Sequence, residues 1–261
     1  MTAAESLPPE LRQAIAGLAR TPRLLVVCDY DGTLSPIVAD PAKAVPRPES
    51  VRALRALADL ADTTAGVISG RALRDLAALS GLPAEVHLIG SHGAEFDAGF
   101  AHALDDETQA LRQRLQAELE RLVGRSPGVL LELKPASIAV HVRRAEPTIG
   151  ASVLEAVRTG PAQWDGVQVT EGKAVIELAV VETDKGEALD MLRRQADATA
   201  ALFVGDDVTD EKAFARLTGP DVGVKVGHGE TLAEYSIPDT EDVAVMLDYL
   251  LAERRASRLS G

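Results

Sequence analysis

The chain has 261 residues, of which 46% are hydrophobic and 26% are charged, a composition typical of a globular protein with one or two domains. Its formal net charge of −13 argues against nucleic acid and anionic membranes as partners, because both are bound through basic surfaces. The single cysteine, Cys28, excludes an intrachain disulfide, and no apolar stretch has the length of a membrane span or a secretory signal. We therefore expect a cytoplasmic protein, and we take it to be a monomer.

The first hundred residues alternate between predicted helices and predicted strands. An amphipathic pattern predicts a helix over 9–20, and the apolar run 24–28 predicts a strand buried on both faces. Further strands are predicted at 64–68 and 86–89, with helices at 48–60 and from about 71 to 79. Each of these strands ends in a polar loop. This order is typical of a doubly wound α/β fold, whose ligands bind at the carboxyl ends of the strands.

From about residue 104 the order of elements changes. A helix at 105–123 is followed by strands at 129–134 and 137–142, a helix at 147–159, and strands at 167–170 and 174–178. Helix-strand-strand repeated twice predicts an inserted α+β domain. The alternating pattern then resumes, with a helix at 185–195, strands at 201–204 and 222–226, a helix between them ending at 217, and a final helix from 240. We expect a doubly wound, Rossmann-like core formed by 1–103 and 183–261, with 104–182 inserted into it.

The first buried strand leads directly into Asp29-Tyr30-Asp31-Gly32-Thr33-Leu34. Because strand residues alternate in direction, Asp29 and Asp31 project the same way, and Gly32 allows a sharp turn beside them. Two like charges this close repel, so we expect a bound cation or a retained proton. A bare Asp-x-Asp is more often a solvated turn. The complete string is far more specific.

A second acidic group, Asp206, Asp207 and Asp210, follows the strand at 201–204. Carboxylate oxygens without nitrogen or sulfur ligands indicate Mg²⁺, for which Asp29 and Asp206 would suffice. Asp207 and Asp210 also fit as caps of the next helix, and for Asp210 the two interpretations have equal weight. The full set of candidate metal ligands is Asp29, Asp31, Asp206 and Asp207.

Several other polar residues lie at predicted strand ends or helix starts. Lys185 opens a helix, where the helix dipole disfavours an ammonium, so that a nearby anion would explain its place; a solvated lysine is the alternative. Ser69 offers a hydroxyl and backbone N–H groups to phosphate, although an ordinary helix N-cap has the same pattern. Arg71, on the first turn of a predicted helix, is consistent with an ordinary charged surface residue. His92, in a glycine-rich loop, is more often a hydrogen-bonded turn residue than a ligand.

The inserted domain carries charged residues on its predicted strands. Glu132, Lys134 and His141 lie on two neighbouring strands, and Lys173 and Glu177 lie on the last pair. A spacing of two places Glu132 and Lys134 on one face. Exposed charges on strands usually form a solvated face, so these residues alone do not indicate a site.

Taken in order, these motifs resemble those of the haloacid dehalogenase superfamily of phosphotransferases. Within it the chain resembles the trehalose-6-phosphate phosphatases over nearly its whole length, through 68–71, 91–95, 132–141 and 172–177. The resemblance implies that Asp29 is a nucleophile and that Asp31 is a general acid and base. Thr33, Ser69 and Lys185 would bind the phosphate.

The same resemblance implies that the insertion is a cap that grips the sugar. The candidate substrate-binding residues are then Arg71, His92, Glu132, Lys134, His141 and Glu177, of which Glu132, Lys134 and Glu177 are candidates for contacts with trehalose. After Glu177 the chain has Leu178-Ala179-Val180, where the family often has a basic residue and a proline.

The function expected from the sequence is Mg²⁺-dependent hydrolysis of trehalose 6-phosphate through an aspartyl-phosphate intermediate, by a phosphatase without a fused synthase domain. The nearest alternative is the same chemistry on another sugar phosphate, such as sucrose phosphate or mannosyl-glycerate phosphate. A receiver-like signalling module, which accepts a phosphoryl group without turnover, is a second alternative. Asp31 and the large insertion argue against it, because a mere acceptor needs neither.

Overall fold

The computed structural model describes residues 6–96, 106–134, 136–172, 174–181 and 184–259. The chain divides into two compact units, which we call the core unit (Met1–Gly99 and Asp184–Gly261) and the inserted unit (Phe100–Thr183). The domain boundaries predicted from the sequence, 103/104 and 182/183, fall on residues outside the described ranges.

The described part of the core unit contains a seven-stranded sheet. Its strands are β1 (Leu24–Cys28), β2 (Thr63–Ile68), β3 (Val86–Gly90), β4 (Glu95–Phe96), β9 (Ala200–Gly205), β10 (Val222–Val226) and β11 (Tyr235–Ile237). They are ordered β11-β10-β9-β1-β2-β3-β4, and all neighbours are parallel except the antiparallel pair β3 and β4. In this register Leu24 of β1 pairs with Thr63 and Ala200. The carboxyl ends of β1, β2 and β9 therefore lie side by side.

Helices cover both faces of this sheet. They are α1 (Pro9–Leu18), α2 (Pro48–Ala58), α3 (Leu73–Ser80), α6 (Lys185–Ala196), α7 (Glu211–Phe214) and α8 (Thr240–Leu259). Leu24, Val26 and Cys28 of β1 form one apolar core with α1, α2 and α8. Leu192 of α6 packs on Gly66 of β2, which faces the opposite side. The predicted doubly wound α/β core is confirmed.

The inserted unit contains an antiparallel sheet of four strands in its described residues, ordered β5-β6-β8-β7. Its elements are α4 (Asp106–Val123), β5 (Leu130–Leu133), β6 (Ser137–His141), α5 (Pro147–Thr159), β7 (Gln168–Gly172) and β8 (Val175–Ala179). Ile138, Val140 and Ile176 point toward the two helices and form a second core with them. Because strand residues alternate, Glu132, Ser137, His141 and Glu177 lie on the other face.

Most predicted elements agree with the structure to within two residues, but three differ. The short edge strands β4 and β11 were not predicted, because two or three residues carry no detectable period. The helix predicted to end at 217 is a 3-10 turn, Val208–Asp210, followed by the four-residue α7. None of the helices in the described ranges combines the length and the apolar composition of a membrane span.

Candidate active site

A cavity of about 600 Å³ lies in the core unit at the carboxyl ends of β1, β2 and β9. Its lining includes most of the residues that the sequence pointed to, namely Asp29, Asp31, Ser69, Arg71, His92, Lys185, Asp206 and Asp207. These residues come from five separate stretches of sequence. They meet because parallel strands deliver their following loops to one edge of the sheet.

Lys185 lies between two buried carboxylates. Its Nζ is 2.8 Å from Oδ1 of Asp29 and 2.7 Å from Oδ1 of Asp210, and the lysine and aspartate side chains are 2%, 5% and 0% exposed. Asp29 is fixed further by its backbone N–H, which donates to the carbonyl of Val204 on β9. The nucleophile expected at Asp29 is therefore held by both strand pairing and an ion pair.

The charges of this group depend on each other. Burial lowers the pKa of the Lys185 ammonium, but Asp29 and Asp210 more than offset this, so that the pKa is raised and the ammonium stays charged. Burial raises the pKa of Asp29, which Lys185 opposes and Asp210 reinforces. The Lys185 ammonium is thus shared by two buried acidic side chains, Asp29 and Asp210.

Asp29, Asp206 and Asp210 form an acidic cluster, with one carboxylate oxygen of each within 4.8 Å of the others. Burial also raises the pKa of Asp206, and its Oδ1 is buried without a hydrogen-bond partner among the described residues. A Cβ at Gly32, whose φ is +80°, would lie 1.9 Å from Oδ2 of Asp206, so the turn after β1 leaves room for this carboxylate. Oxygen donors with an unsatisfied buried lone pair fit a hard divalent cation.

Two of the four predicted metal ligands, Asp31 and Asp207, are not part of this cluster. The Asp207 carboxylate accepts the Val208 N–H at 2.6 Å and caps the 3-10 turn, and Asp31 pairs with an arginine. Asp210 lies in the cluster instead, and it also accepts the N–H groups of Asp206 and Asp207 at 2.9 Å. Asp210 therefore caps the 3-10 turn and also lies in the acidic cluster, and a role in metal binding stays a prediction.

Asp31 and Arg71 form a bidentate ion pair. Nε of Arg71 donates to Oδ2 at 2.7 Å, and Nη2 donates to Oδ1 at 2.6 Å. Hydrogen bonding to Asp31 raises the pKa of Arg71. Arg71 is therefore not the isolated surface charge that its sequence context suggested.

The loop after β3 lies against the loop after β2. Ser91 and His92 have φ values of +48° and +56°, a conformation unusual for residues with side chains. The loop is held by the His92 N–H, which donates to the carbonyl of Ser69, and by a hydrogen bond from Ser91 Oγ to Glu95. A Cβ at Gly70 would lie 2.6 Å from the His92 ring, so this glycine permits the close approach. Strain of this kind is common at functional sites.

Two hydroxyls lie near the acidic residues. Thr33 is fully buried, and its Oγ1 has no hydrogen-bond partner among the described residues. Ser69 is also buried, and its Oγ accepts the Arg71 N–H at 3.2 Å. A buried hydroxyl without a partner is costly unless a ligand supplies one.

The inserted unit holds a second group of charges, which we call the charged face: Glu132, Lys134, His141 and Glu177. Lys134 donates to both oxygens of Glu177 at 3.0 Å, and Ser137 Oγ donates to the same carboxylate at 2.6 Å. The His141 ring is 2.9 Å from Glu132. The pairing of β5, β6 and β8 places Glu132 and Glu177 on either side of Ala139. Lys173 lies outside the described residues.

Sequence reasoning missed two contributors. Lys225 on β10 is buried and donates to the backbone carbonyl of Asp206 at 2.6 Å. Ser137 on β6 donates a hydrogen bond to Glu177 on the neighbouring strand β8, a contact that depends on the register of the two strands. A lysine within an otherwise buried strand is the one signal that could have marked Lys225.

The doubly wound sheet, with Asp29 at the end of its central strand and Lys185 and Asp206 beside it, defines a haloacid dehalogenase-like α/β protein. The family model described as Trehalose-phosphatase matches residues 27–240. The chain belongs to this trehalose-phosphatase family, and the resemblance stated from the sequence is confirmed.

Several known proteins are similar to the chain. Trehalose-phosphate phosphatases of Mycobacterium ulcerans and Mycobacterium bovis are each 37% identical, over 85% and 96% of the chain respectively. The chain covers 60% of the first of these relatives and 68% of the second. The trehalose-6-phosphate phosphatase C-terminal domain of Candida albicans is 25% identical with a TM-score of 0.68, covering 93% of this chain and 96% of that one. The Aspergillus fumigatus trehalose-6-phosphate phosphatase is 26% identical with a TM-score of 0.64, covering 92% and 97%.

Proposed function

We propose that this protein hydrolyses trehalose 6-phosphate to trehalose and phosphate through an aspartyl-phosphate on Asp29. The observation that carries the proposal is the placement of Asp29, buried at the end of the central strand, ion-paired to Lys185 and beside the acidic cluster. The names of the mycobacterial relatives and the fungal structures support the choice of substrate. In this proposal the core unit is catalytic and the inserted unit is a sugar-binding cap.

The residues that would hold Mg²⁺ are Asp29 and Asp206. Asp210, the fully buried third member of the acidic cluster, lies next to them. Their fit rests on the unsatisfied Oδ1 of Asp206 and on the burial that raises the pKa of both Asp29 and Asp206. When bound, the ion would neutralise negative charge on the phosphate and on these carboxylates.

In the first step a carboxylate oxygen of Asp29 attacks phosphorus. The bond from phosphorus to the sugar oxygen breaks as the new bond forms, and Asp31 gives a proton to the leaving oxygen. In the second step Asp31 takes a proton from a water molecule, which attacks phosphorus and releases phosphate and the free Asp29 carboxylate. Asp31 thereby regains its proton, and the cycle is closed.

The positive groups of the cavity offset the charge of the phosphate. Lys185 already donates to Asp29, so its ammonium lies next to the point of attack. Ser69 lines the cavity, so its Oγ can donate to phosphate oxygens. Thr33 is not part of the cavity lining, and its contact with phosphate stays a prediction. Preorganised donors of this kind supply much of the catalysis in phosphoryl transfer. A net charge of −13 is compatible with an anionic substrate because the attraction is local.

The charged face suits a sugar because it combines carboxylates with an ammonium. Glu132 and Glu177 accept hydrogen bonds, Lys134 donates them, and sugar hydroxyls do both. His141 and Ser137 orient the two carboxylates. His92 lines the cavity of the core unit and is proposed to contact the substrate there. A cytoplasmic location and a monomeric state stay predictions from the sequence.

A phosphate-release assay over about a dozen sugar phosphates tests this function. Trehalose 6-phosphate should be hydrolysed with the highest kcat/KM, EDTA should abolish turnover, and added Mg²⁺ should restore it. A higher kcat/KM for sucrose phosphate or mannosyl-glycerate phosphate would favour the alternative substrates. One equivalent of stable phosphoprotein without turnover would instead indicate a phospho-accepting module.

A further inference from the structure

We propose that Arg71 is a positioning residue, which holds the Asp31 carboxylate in the direction from which it serves the leaving oxygen. This inference rests on the proposed function and deepens it, because it gives Arg71 a role through Asp31 in place of the direct substrate contact expected from the sequence. The observation is the two-pronged ion pair at 2.7 and 2.6 Å.

The geometry of the pair fixes orientation as well as distance. A guanidinium presents two parallel N–H groups, and a carboxylate that accepts both cannot rotate about its last bond without losing one. Each oxygen of Asp31 accepts one of these bonds and keeps a second lone-pair direction free. The Asp31 side chain is 35% exposed, so a face of the carboxylate stays open to the cavity.

Arg71 itself is held from several sides. Its backbone N–H donates to Ser69 Oγ at 3.2 Å, and its carbonyl accepts the Ser91 N–H at 2.7 Å. The guanidinium lies 5.5 Å from the ring centre of Tyr30, whose hydroxyl donates to the carbonyl of Ala44 at 2.8 Å. The Arg71 side chain is 14% exposed, less than its partner. Arg71 is therefore the more constrained member of the pair, and we infer that it orients the Asp31 carboxylate.

The ion pair does not use every donor of Arg71. Its Nε and one Nη2 hydrogen are directed at Asp31, whereas Nη1 and the second Nη2 hydrogen are not used by this pair. A direct contact between these hydrogens and the substrate would appear as a raised KM for Arg71→Ala, whereas positioning of Asp31 would appear as a lowered kcat.

The test is a double-mutant cycle with two substrates of different leaving-group quality. Arg71→Ala, Asp31→Asn and the double variant are assayed on trehalose 6-phosphate and on p-nitrophenyl phosphate, whose good leaving group hardly needs a proton donor. Arg71→Ala should lower kcat for the sugar phosphate by about 10- to 100-fold, because misplacing a reacting group costs up to this much. On p-nitrophenyl phosphate its loss should be less than about 3-fold, and the double variant should be no slower than Asp31→Asn.

Two further variants separate positioning from general damage. Arg71→Lys should rescue little, because an ammonium cannot make the two-pronged contact. Arg121→Ala is the matched control, since Arg121 makes the same contact with Glu118, at 2.9 and 2.6 Å, on the exposed surface of α4. It should leave both activities unchanged. Thermal melts of all variants report folding.

A crystal structure of the Arg71→Ala variant shows the orientation of the Asp31 side chain independently of any activity measurement. We expect this side chain to adopt an altered orientation or several orientations. An unchanged Asp31 would overturn the proposal, as would losses that multiply in the double variant or a raised KM with kcat unchanged. If wild type prefers another sugar phosphate, the proposed substrate is wrong and the cycle is run on that ester. If wild type hydrolyses no phosphate ester, both proposals fail.

Discussion

Both units of the protein pair a buried lysine with carboxylates, two in the core unit and one in the inserted unit, and the surroundings of the two lysines differ. In the core unit, Lys185 and its partners Asp29 and Asp210 are almost fully enclosed. On the charged face, Lys134 is buried, but Glu177 is 26% exposed and Glu132 is 34% exposed. The first arrangement fixes a few groups in one geometry, as phosphoryl transfer requires. The second leaves acceptors that can exchange their present partners for the hydroxyls of a ligand.

The largest effect should follow from Asp29→Asn. Because Asp29 is the proposed nucleophile, kcat on trehalose 6-phosphate and on p-nitrophenyl phosphate should both fall by at least about 10³-fold. Steady-state phosphate release measures this, and Asp248→Asn on the exposed side of α8 is the matched control. Retention of more than a few per cent of wild-type activity would contradict the role of Asp29.

Stability offers the next contrast between the two lysines. Lys185→Met leaves Asp29 and Asp210 buried without their cation, which should lower the free energy of unfolding by about 3 to 5 kcal/mol. Lys134→Met should cost about 1 to 2 kcal/mol, because Glu177 keeps its bond from Ser137 and its access to water.

Urea unfolding in the presence of EDTA measures both values. Circular dichroism follows the whole chain, and the fluorescence of Trp164, the single tryptophan, follows the inserted unit. Equal losses for the two lysine variants would mean that burial does not distinguish the two ion pairs.

Glu132→Ala should separate specificity from chemistry. If Glu132 accepts hydrogen bonds from sugar hydroxyls, its removal leaves them unpaired, which costs about 1 to 3 kcal/mol. The kcat/KM for trehalose 6-phosphate should therefore fall about 5- to 150-fold, and that for p-nitrophenyl phosphate should hardly change. A proportional loss on both substrates would mean that Glu132 supports the fold and that the charged face is only solvated.

His141→Ala should have the smallest effect. It removes a single hydrogen bond to Glu132, at 2.9 Å, which is worth about 0.5 to 1.5 kcal/mol. We expect kcat/KM for the sugar phosphate to fall about 2- to 12-fold. In the Glu132→Ala background the same substitution should have no further effect, and a full additional loss there would show that His141 acts independently.

Sequence patterns predicted the core unit well because its signals are local. Buried parallel strands such as β1 and β9 appear as continuous apolar runs, and the residues that follow them must meet at one edge. Asp29 and Asp206 could therefore be grouped from sequence, whereas Lys185, which opens a helix, was assigned to the site through the resemblance of the motif order. Spacing could not indicate which carboxylate each cation would choose, so the pairing of Lys185 with Asp210 required the structure.

The side-chain contacts of Arg71 and of the charged face were harder to predict. Arg71 and Asp31 are forty residues apart, and their pairing depends on the packing of the loops after β1 and β2. Ser137 and Glu177 meet only because β6 and β8 pair in one register. Registers of this kind are set by the whole sheet, and a one-residue slip would have turned Glu177 toward the helices.

We propose that the core unit carries out the chemistry and that the inserted unit recognises the sugar, and one triple variant separates these two roles. Glu132→Ala, Lys134→Ala and Glu177→Ala are combined, and kcat/KM is measured on trehalose 6-phosphate and p-nitrophenyl phosphate, with Trp164 fluorescence to verify that the inserted unit is folded. We expect kcat/KM to fall at least about 10²-fold for trehalose 6-phosphate and less than about 3-fold for p-nitrophenyl phosphate. Equal losses on both esters, or an unchanged rate on the sugar phosphate, would contradict this proposal.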